Sequence, residues 1–501
     1  MQAVEYYQIG GFQAHVRDHS SEALAARLMP SNGTADFVLG MQTCIKPSGA
    51  SYLLLPSTAM SWRPRGRPRH AHEFESLSPV QFPTQASLAT KFSMLASNKK
   101  SSDGRPRDRS KANTSYTAGG DGLSADGIAR SAFEHQRMYY LMCQEDPEEP
   151  IDYARYALRP APWFKQMRLF SFTFNTWAAD DRALDERKAS PKVLDVGWTE
   201  FNPPTHSTDL EPFSTSHYIV EESKYLRNPM QKSLTLPDIS QTMPKATIGD
   251  LLNDLFAPPR DGGNNSPKIL FVHDEVMTRC ILHGFGVDTS RWKVGIKELL
   301  YCPNARGQQA RQPYSDSKRE AYDRFAKWPR DRSLSPRRRT TTRDPRPRSP
   351  PATPTQPSVY LVDVREMCQT LRQTRSTRDT ILSNSKIFNV KDTPLARGAN
   401  DSVLYEDVDL SSYCAGKESR LLGFVWEEMA KGTAIDEQRA EREYFMREDS
   451  LAEAARAASA EGNIDPNDID PNDVVHSQHG DRPSTSRPVG MFDSDSEDDE
   501  Y

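Results

Sequence analysis

The chain is short of apolar residues. Only 36% of its 501 positions are hydrophobic, against about 45–50% in an ordinary globular domain. That deficit excludes one core running the whole length and predicts a domain of moderate size within long disordered segments. Long apolar runs are missing as well. None approaches the ~18–20 residues of a membrane span, so no membrane is expected among the partners. The start, Met1-Gln2-Ala3-Val4-Glu5, lacks the basic leader and apolar centre of a secretory signal. Cysteine is sparse, six in the chain, and none is spaced as a zinc pair. This argues against a disulfide scaffold and for a reducing, intracellular setting, cytoplasm or nucleus.

Charge is present but unevenly placed. Between Lys327 and Pro350 nine basic residues face two acids, a footprint suited to polyanions. From Glu461 to Tyr501 twelve acids face Arg482 and Arg487, which reads as a solvated acidic tail. Residues 1–123 mix short apolar fragments with Ser, Pro, Gly and Arg and are expected to be mostly disordered, although Phe37–Met41 and Tyr52–Leu55 have the make-up of short strands.

Between 124 and 434 the pattern becomes regular. Ser124–Cys143 carries no proline and predicts a helix. Arg168–Trp177 alternates, with Phe170, Phe172 and Phe174 on one face, and predicts a strand. Val193–Phe201 and His217–Val220 are two more strands, and the three together predict an antiparallel meander. Thr247–Phe256 then reads as a helix, Ile269–His273 as a strand, and the segment through Val276 and Leu282 as a helix ending at Gly284 or Gly286. A basic insertion at about 303–357 interrupts the domain. Val359–Val364 resumes as a strand, a helix passes through Met367 and Leu371, and Lys417–Met429 forms a last helix with Leu421, Leu422, Val425 and Met429 as its core stripe. The fold class is therefore α/β, a meander followed by alternating helices and strands. Residues 435–460 read as an exposed charged helix, and the doubled Ile-Asp-Pro-Asn-Asp at 464–473 as spacer.

Four segments carry a motif order. Leu169–Trp177 comes first, then Val193–Thr199, then Ile269-Leu270-Phe271-Val272-His273-Asp274, then Cys414–Leu422, whose start with the preceding residue reads Tyr413-Cys414-Ala415-Gly416-Lys417-Glu418. In that order they resemble the RNase H-like, DEDDh-type exonuclease fold, and most closely the fungal Great-for-Full-DEAD-box-activity (GFD) C-terminal domain family, over roughly Pro162–Glu437 without the insertion. The resemblance implies a 3′–5′ exonuclease architecture in which carboxylates hold two divalent ions, with a role near RNA handling or mRNA export. The matching positions have largely lost their acids. The Asp-x-Glu of the first strand falls on Thr173 and Asn175. The second motif begins at His273 and Asp274, but its metal-binding acid falls on Thr278. In the third, the general-base His is Tyr413, and Glu418 keeps a carboxylate. Hard divalent cations need oxygen ligands, preferably anionic ones, so the resemblance implies a retained fold with an impaired catalyst. No cofactor is expected, with Mg²⁺ only if exonuclease activity persists.

Read as ordinary structure, the same residues have other roles. His273 is a hydrogen-bonded strand-end histidine. Asp274 and Asp363 cap helices, Glu418 is a helix-start acid, and Phe170, Phe172, Phe174 and Trp177 belong to the core. A site rebuilt from Asp195, Asp274, Asp363 and Glu418 is a further alternative. In the insertion, Arg337, Arg338, Arg339, Arg346 and Arg348 suit phosphate contacts with RNA or another single strand. Ser335, Ser349 and Thr353, each before proline, are candidate phosphorylation sites that would offset this charge. Three functions follow: an RNA-binding protein on an impaired exonuclease-like domain; a protein-interaction adaptor using the charged helix and acidic tail; and an active exonuclease with relocated ligands.

Overall fold

The computed structural model describes residues 4–9, 21–28, 42–45, 51–59, 67–74, 76–80, 85–90, 125–183, 186–187, 190–228, 232–233, 235–236, 239–256, 267–301, 359–374, 379–390 and 412–444. The chain divides into a body over Met1–Ala440 and a second unit over Glu441–Tyr501. In the second unit residues 441–444 are described, and they are helical. The insertion from 303 to 357, the repeat at 464–473 and the acidic tail lie outside the described residues.

The N-terminal stretch, expected to be mostly disordered, contributes a small sheet. β1 (Glu5–Ile9), helix α1 (Ser21–Leu28), β2 (Gln42–Ile45), β3 (Ser51–Pro56), β4 (Arg69–His70) and β5 (Ser78–Pro79) follow in order. The strands run β4-β1-β3-β2-β5 across the sheet, every neighbour antiparallel. Each fragment is too short to show a period alone. Together they bury Tyr6, Leu54, Phe74 and Leu77. Tyr52–Leu55 is strand as expected, and Phe37–Met41 lies outside the described residues.

The main sheet has seven strands in the order β10-β8-β7-β6-β11-β13-β12. After α2 (Ala125–Cys143) come β6 (Arg168–Thr176), β7 (Val193–Asn202) and β8 (Glu211–Val220). These three form the expected antiparallel meander. The two-residue β9 (Lys232–Ser233) leads to β10 (Ser240–Met243), which returns parallel to β8. α3 (Lys245–Phe256), β11 (Lys268–Val272), α4 (Glu275–Gly284), β12 (Lys293–Val294), α5 (Lys297–Leu300), β13 (Val359–Asp363) and α6 (Val364–Arg372) continue the chain. β11 pairs parallel with both β6 and β13, and β12 with β13. α7 (Ile381–Ile387), β14 (Ser412–Tyr413) and α8 (Ala415–Ala430) close the body, β14 pairing with β9. This is a mixed α/β fold with helices on both sheet faces.

Strand alternation sorts the core into two layers. On one face Leu169, Phe201, Ile269, Phe271 and Tyr360 meet α2, α6 and α8. On the other, Phe170, Phe172, Trp198, Leu270 and Leu361 meet Ile248 and Leu252 of α3 and Ile281 and Leu282 of α4. α8 lies under the first face with Leu421, Leu422, Val425 and Met429 all buried. Its Trp426 ring stacks on Phe271, centroids 4.4 Å apart.

The start of the final charged helix differs from expectation. Residues 435–440 are helical, but Asp436, Gln438 and Arg439 are buried. Arg130 of α2 donates to both carboxylate oxygens of Asp436, at 2.8 and 2.6 Å. Glu134 accepts from the Ile435 amide at 2.7 Å and pairs with Arg137, whose Nε donates to the Gly432 carbonyl. Arg137 also donates to Ser78 Oγ in the N-terminal sheet. A charge pattern cannot distinguish a solvated acid from one matched by a partner some 300 residues upstream.

Candidate functional site

The first and third motif positions meet where α8 begins on the meander. Gly197 of β7 makes the close approach possible. A Cβ there would stand 2.4 Å from both the Ala415 carbonyl carbon and the Gly416 nitrogen. Gly416 is equally constrained, since a Cβ would come 2.8 Å from that of His217. The Ala-Gly step thus lets the helix start rest on the strand backbone.

Alternate residues of β6 then reach the helix. Ser171 Oγ donates to the Ser419 carbonyl and Thr173 Oγ1 to the Ala415 carbonyl, each at 2.6 Å. Asn175 Nδ2 donates to Glu418 Oε2 at 3.0 Å. From β7, Thr199 Oγ1 lies 2.7 Å from Ser419 Oγ. Buried polar groups need partners, and here they find them across the helix–sheet seam.

Behind this row sits a buried histidine. His217 Nε2 donates to Asp195 Oδ2 at 2.7 Å, and its Nδ1 lies 2.7 Å from Ser240 Oγ. Asp195 Oδ2 also accepts from the Ala415 amide at 3.1 Å. Burial works against charge on the imidazole, yet Asp195 and the Cys414 sulfur outweigh it and hold His217 up at about 10. Glu418 is pushed up to about 8, first by burial and then by the Asp195 charge. Both influences favour its protonated form.

Asp195, His217 and Cys414 superficially form a nucleophile–base–acid set. The geometry does not serve it. Cys414 Sγ is 3.9 Å from both ring nitrogens, and each nitrogen already faces an oxygen at 2.7 Å. A nucleophile needs a base that is free to take its proton and needs substrate access. Cys414 and His217 are both buried.

The remaining sequence candidates separate. His273 directly follows β11, and its buried Nε2 has no hydrogen-bond partner among the described residues. Burial, helped by Arg365, pushes its pKa down to about 4. Asp274 caps α4 by accepting from the Met277 amide at 2.9 Å and pairs with Arg365. Asp363 caps α6 through the Glu366 amide and also accepts from the Glu275 amide, both at 2.9 Å. Burial raises Asp363 to about 6. Thr278 is buried in α4, and Tyr413 is buried in β14. Phe170 and Phe172 are core residues as expected, whereas Trp177 sits partly exposed under Lys192, whose Nζ lies 4.6 Å from the ring centroid. Arg337, Arg338, Arg339, Arg346 and Arg348 lie outside the described residues.

The donor set does not fit a two-metal centre. Thr173 and Asn175 are uncharged and engaged with α8. The rebuilt set of Asp195, Asp274, Asp363 and Glu418 is split between this seam and two helix caps. Among the described residues no group of three or more His, Cys, Asp or Glu is placed to hold a metal ion.

The sequence reading missed His217 as a member of the site. It has no motif around it, and only the β7–β8 register, with Gly197 opposite His217, brings it beside Asp195. Comparison with family models finds no match, and comparison with curated proteins finds none either.

Proposed function

We propose that this chain is an intracellular RNA-binding protein built on an RNase H-like, exonuclease-type domain similar to the fungal GFD-type C-terminal domain, in which the catalytic positions have become structural fastenings. The observation that carries this reading is the pair Thr173–Ala415 and Asn175–Glu418. The two first-strand positions lie against the third-motif helix, as the resemblance requires. Yet they contribute a hydroxyl and an amide that tie helix to sheet, where hydrolysis would need carboxylates on metal. The meander followed by parallel strands alternating with helices supports the same fold. No described helix is long and apolar enough to cross a membrane.

RNA is the ligand on the strength of the arginine-rich insertion. Arginine forks match phosphate oxygens, and backbone contacts make affinity depend on salt. The test is the binding of labelled single-stranded RNA across a salt series. Replacing Arg337, Arg338, Arg339, Arg346 and Arg348 by Ala should flatten the log–log slope by up to about 3.5 if all five meet phosphates. Binding should weaken similarly across sequences, because phosphate contacts carry no base information. An unchanged affinity and slope would move the function to a protein-interaction adaptor.

A further inference from the structure

The turn between β7 and β8 is held from inside by one carboxyl group. Thr205 to Asp209 are exposed, while Leu210, where the chain re-enters the fold, is buried. The Leu210 amide donates to Glu427 Oε1 at 2.6 Å. Glu427 belongs to α8 and is 5% exposed. The Tyr140 hydroxyl of α2 lies 3.4 Å from the same oxygen. One side chain thus joins α8, α2 and the end of the turn.

A second carboxylate competes for that hydroxyl. Asp209 directly precedes Leu210, and its charge bears on both Tyr140 and Glu427. Gln144 Nε2 donates to the Tyr140 oxygen at 2.9 Å. Tyr140 therefore has one proton to give and two carboxylates facing it. The other charges acting on Glu427 come from α8: Lys431 favours its ionised form, and Glu428, which Lys431 pairs with, opposes it. α2 contributes the neutral Tyr140.

A proton on Glu427 resolves the competition. Its carbonyl oxygen accepts from Leu210, its hydroxyl donates to the Tyr140 oxygen, and Tyr140 donates to Asp209. Without that proton two negative charges, one of them buried, share a single hydroxyl.

We propose that Glu427 is a proton-operated clasp on the β7–β8 turn: protonated, it holds the turn shut against α8, and ionised, it draws the Tyr140 hydroxyl away from Asp209 and the turn loosens. The clasp is independent of the proposed RNA binding. Burial raises Glu427 from 4.5 to about 7 against the Leu210 hydrogen bond, and Asp209 adds to the rise. A carboxyl raised in this way stabilises the shut form fully below 4.5 and loses that contribution as pH climbs through about 7, so the turn loosens on the alkaline side.

The test is hydrogen exchange of the full chain from pH 5.5 to 8.5, read on the peptide containing Leu210 and corrected for the intrinsic exchange rate. Protection there should fall roughly 30-fold, the difference between a carboxyl titrating at about 7 with the turn shut and at 4.5 with it open. Glu427→Gln keeps an acceptor for Leu210 and an N–H for Tyr140 but does not titrate, so its protection should stay level. Asp209→Asn removes the competing charge from an exposed position and should shrink the fall. The β11 amides are the reference and should exchange alike in all three proteins. If Glu427→Gln loses protection at β11 as well, its fold has failed and Asp209→Asn decides alone. Wild-type protection that is flat or rises with pH overturns the clasp. So does a Glu427→Gln profile parallel to the wild type with β11 intact, or an undiminished fall in Asp209→Asn.

Discussion

Gly197 lies directly under Ala415. The backbone of α8 touches the backbone of β7 with no side chain between them, and an added Cβ would stand 2.4 Å from the Ala415 carbonyl carbon. Backbone cannot swing aside as a flexible side chain can. Gly197→Ala should therefore destabilise by about 1–3 kcal/mol or more, the cost of overpacking a tight core. Gly284→Ala is the control, since its Cβ would meet only Lys245 Nζ at 3.8 Å. Urea melts of the two variants should separate clearly. Equal midpoints would show that the helix start is not seated as described.

Leu422 is 1% exposed in the middle of α8. Leu422→Ala removes packing against the sheet and should cost about 2–5 kcal/mol, the usual range for a buried leucine. A loss below 1 kcal/mol in chemical denaturation would take α8 out of the core.

Arg130 and Asp436 are both buried and joined by two hydrogen bonds. Removing one partner of a buried pair strands the other charge, at about 3–5 kcal/mol. Asp436→Ala should approach that figure. A surface-like change of a few tenths of a kcal/mol would return 435–440 to the solvated helix its charge pattern predicts.

The raised pKa of His217 sets a direction for pH. A group held above its ordinary value stabilises fully below that value, 6.5 here, and loses its contribution as pH climbs through about 10. Glu418, raised from 4.5 to about 8, acts with the same sign over a lower window. Stability should thus fall from pH 6.5 to 10 in the wild type and fall less in His217→Gln, which has nothing to titrate there. Parallel profiles for the two proteins would remove His217 from the account.

Catalysis has its own test. Purified chain should leave single-stranded RNA and DNA at full length in Mg²⁺ or Mn²⁺, because Thr173, Asn175, Thr278 and Tyr413 supply no carboxylate. Metal-dependent 3′ trimming that vanishes in Asp274→Ala or Glu418→Ala would restore an active enzyme.

The sequence carried the main sheet well because its elements announce themselves locally. The alternation over 168–176 and the Leu421–Leu422–Val425 stripe needed no distant partner to be read. β8 was harder. It begins at Glu211, six residues before the His217–Val220 segment, and its first half was unread because Pro212 and an exposed Phe213 break any alternation there. Of the N-terminal strands only β3 was legible, at Tyr52–Leu55; the others were missed for the opposite reason, because their core exists only once five fragments meet. At the site, Thr173, Asn175 and Glu418 were legible from motif spacing. His217 was not, since its place depends on strand register, and a one-residue slip would turn it to the other face.

The bond from Thr173 to Ala415 joins residues 242 positions apart. At about 5–20 residues per second, a ribosome needs roughly 12–50 s between making the one and making the other. For that interval the meander exists without the helix that covers it, its Ser171, Thr173 and Asn175 row open to water. Those residues are all polar, so the waiting strand presents hydroxyls and an amide along the track that α8 will occupy. This polar row thus gives the nascent sheet a wettable seam until its last helix arrives.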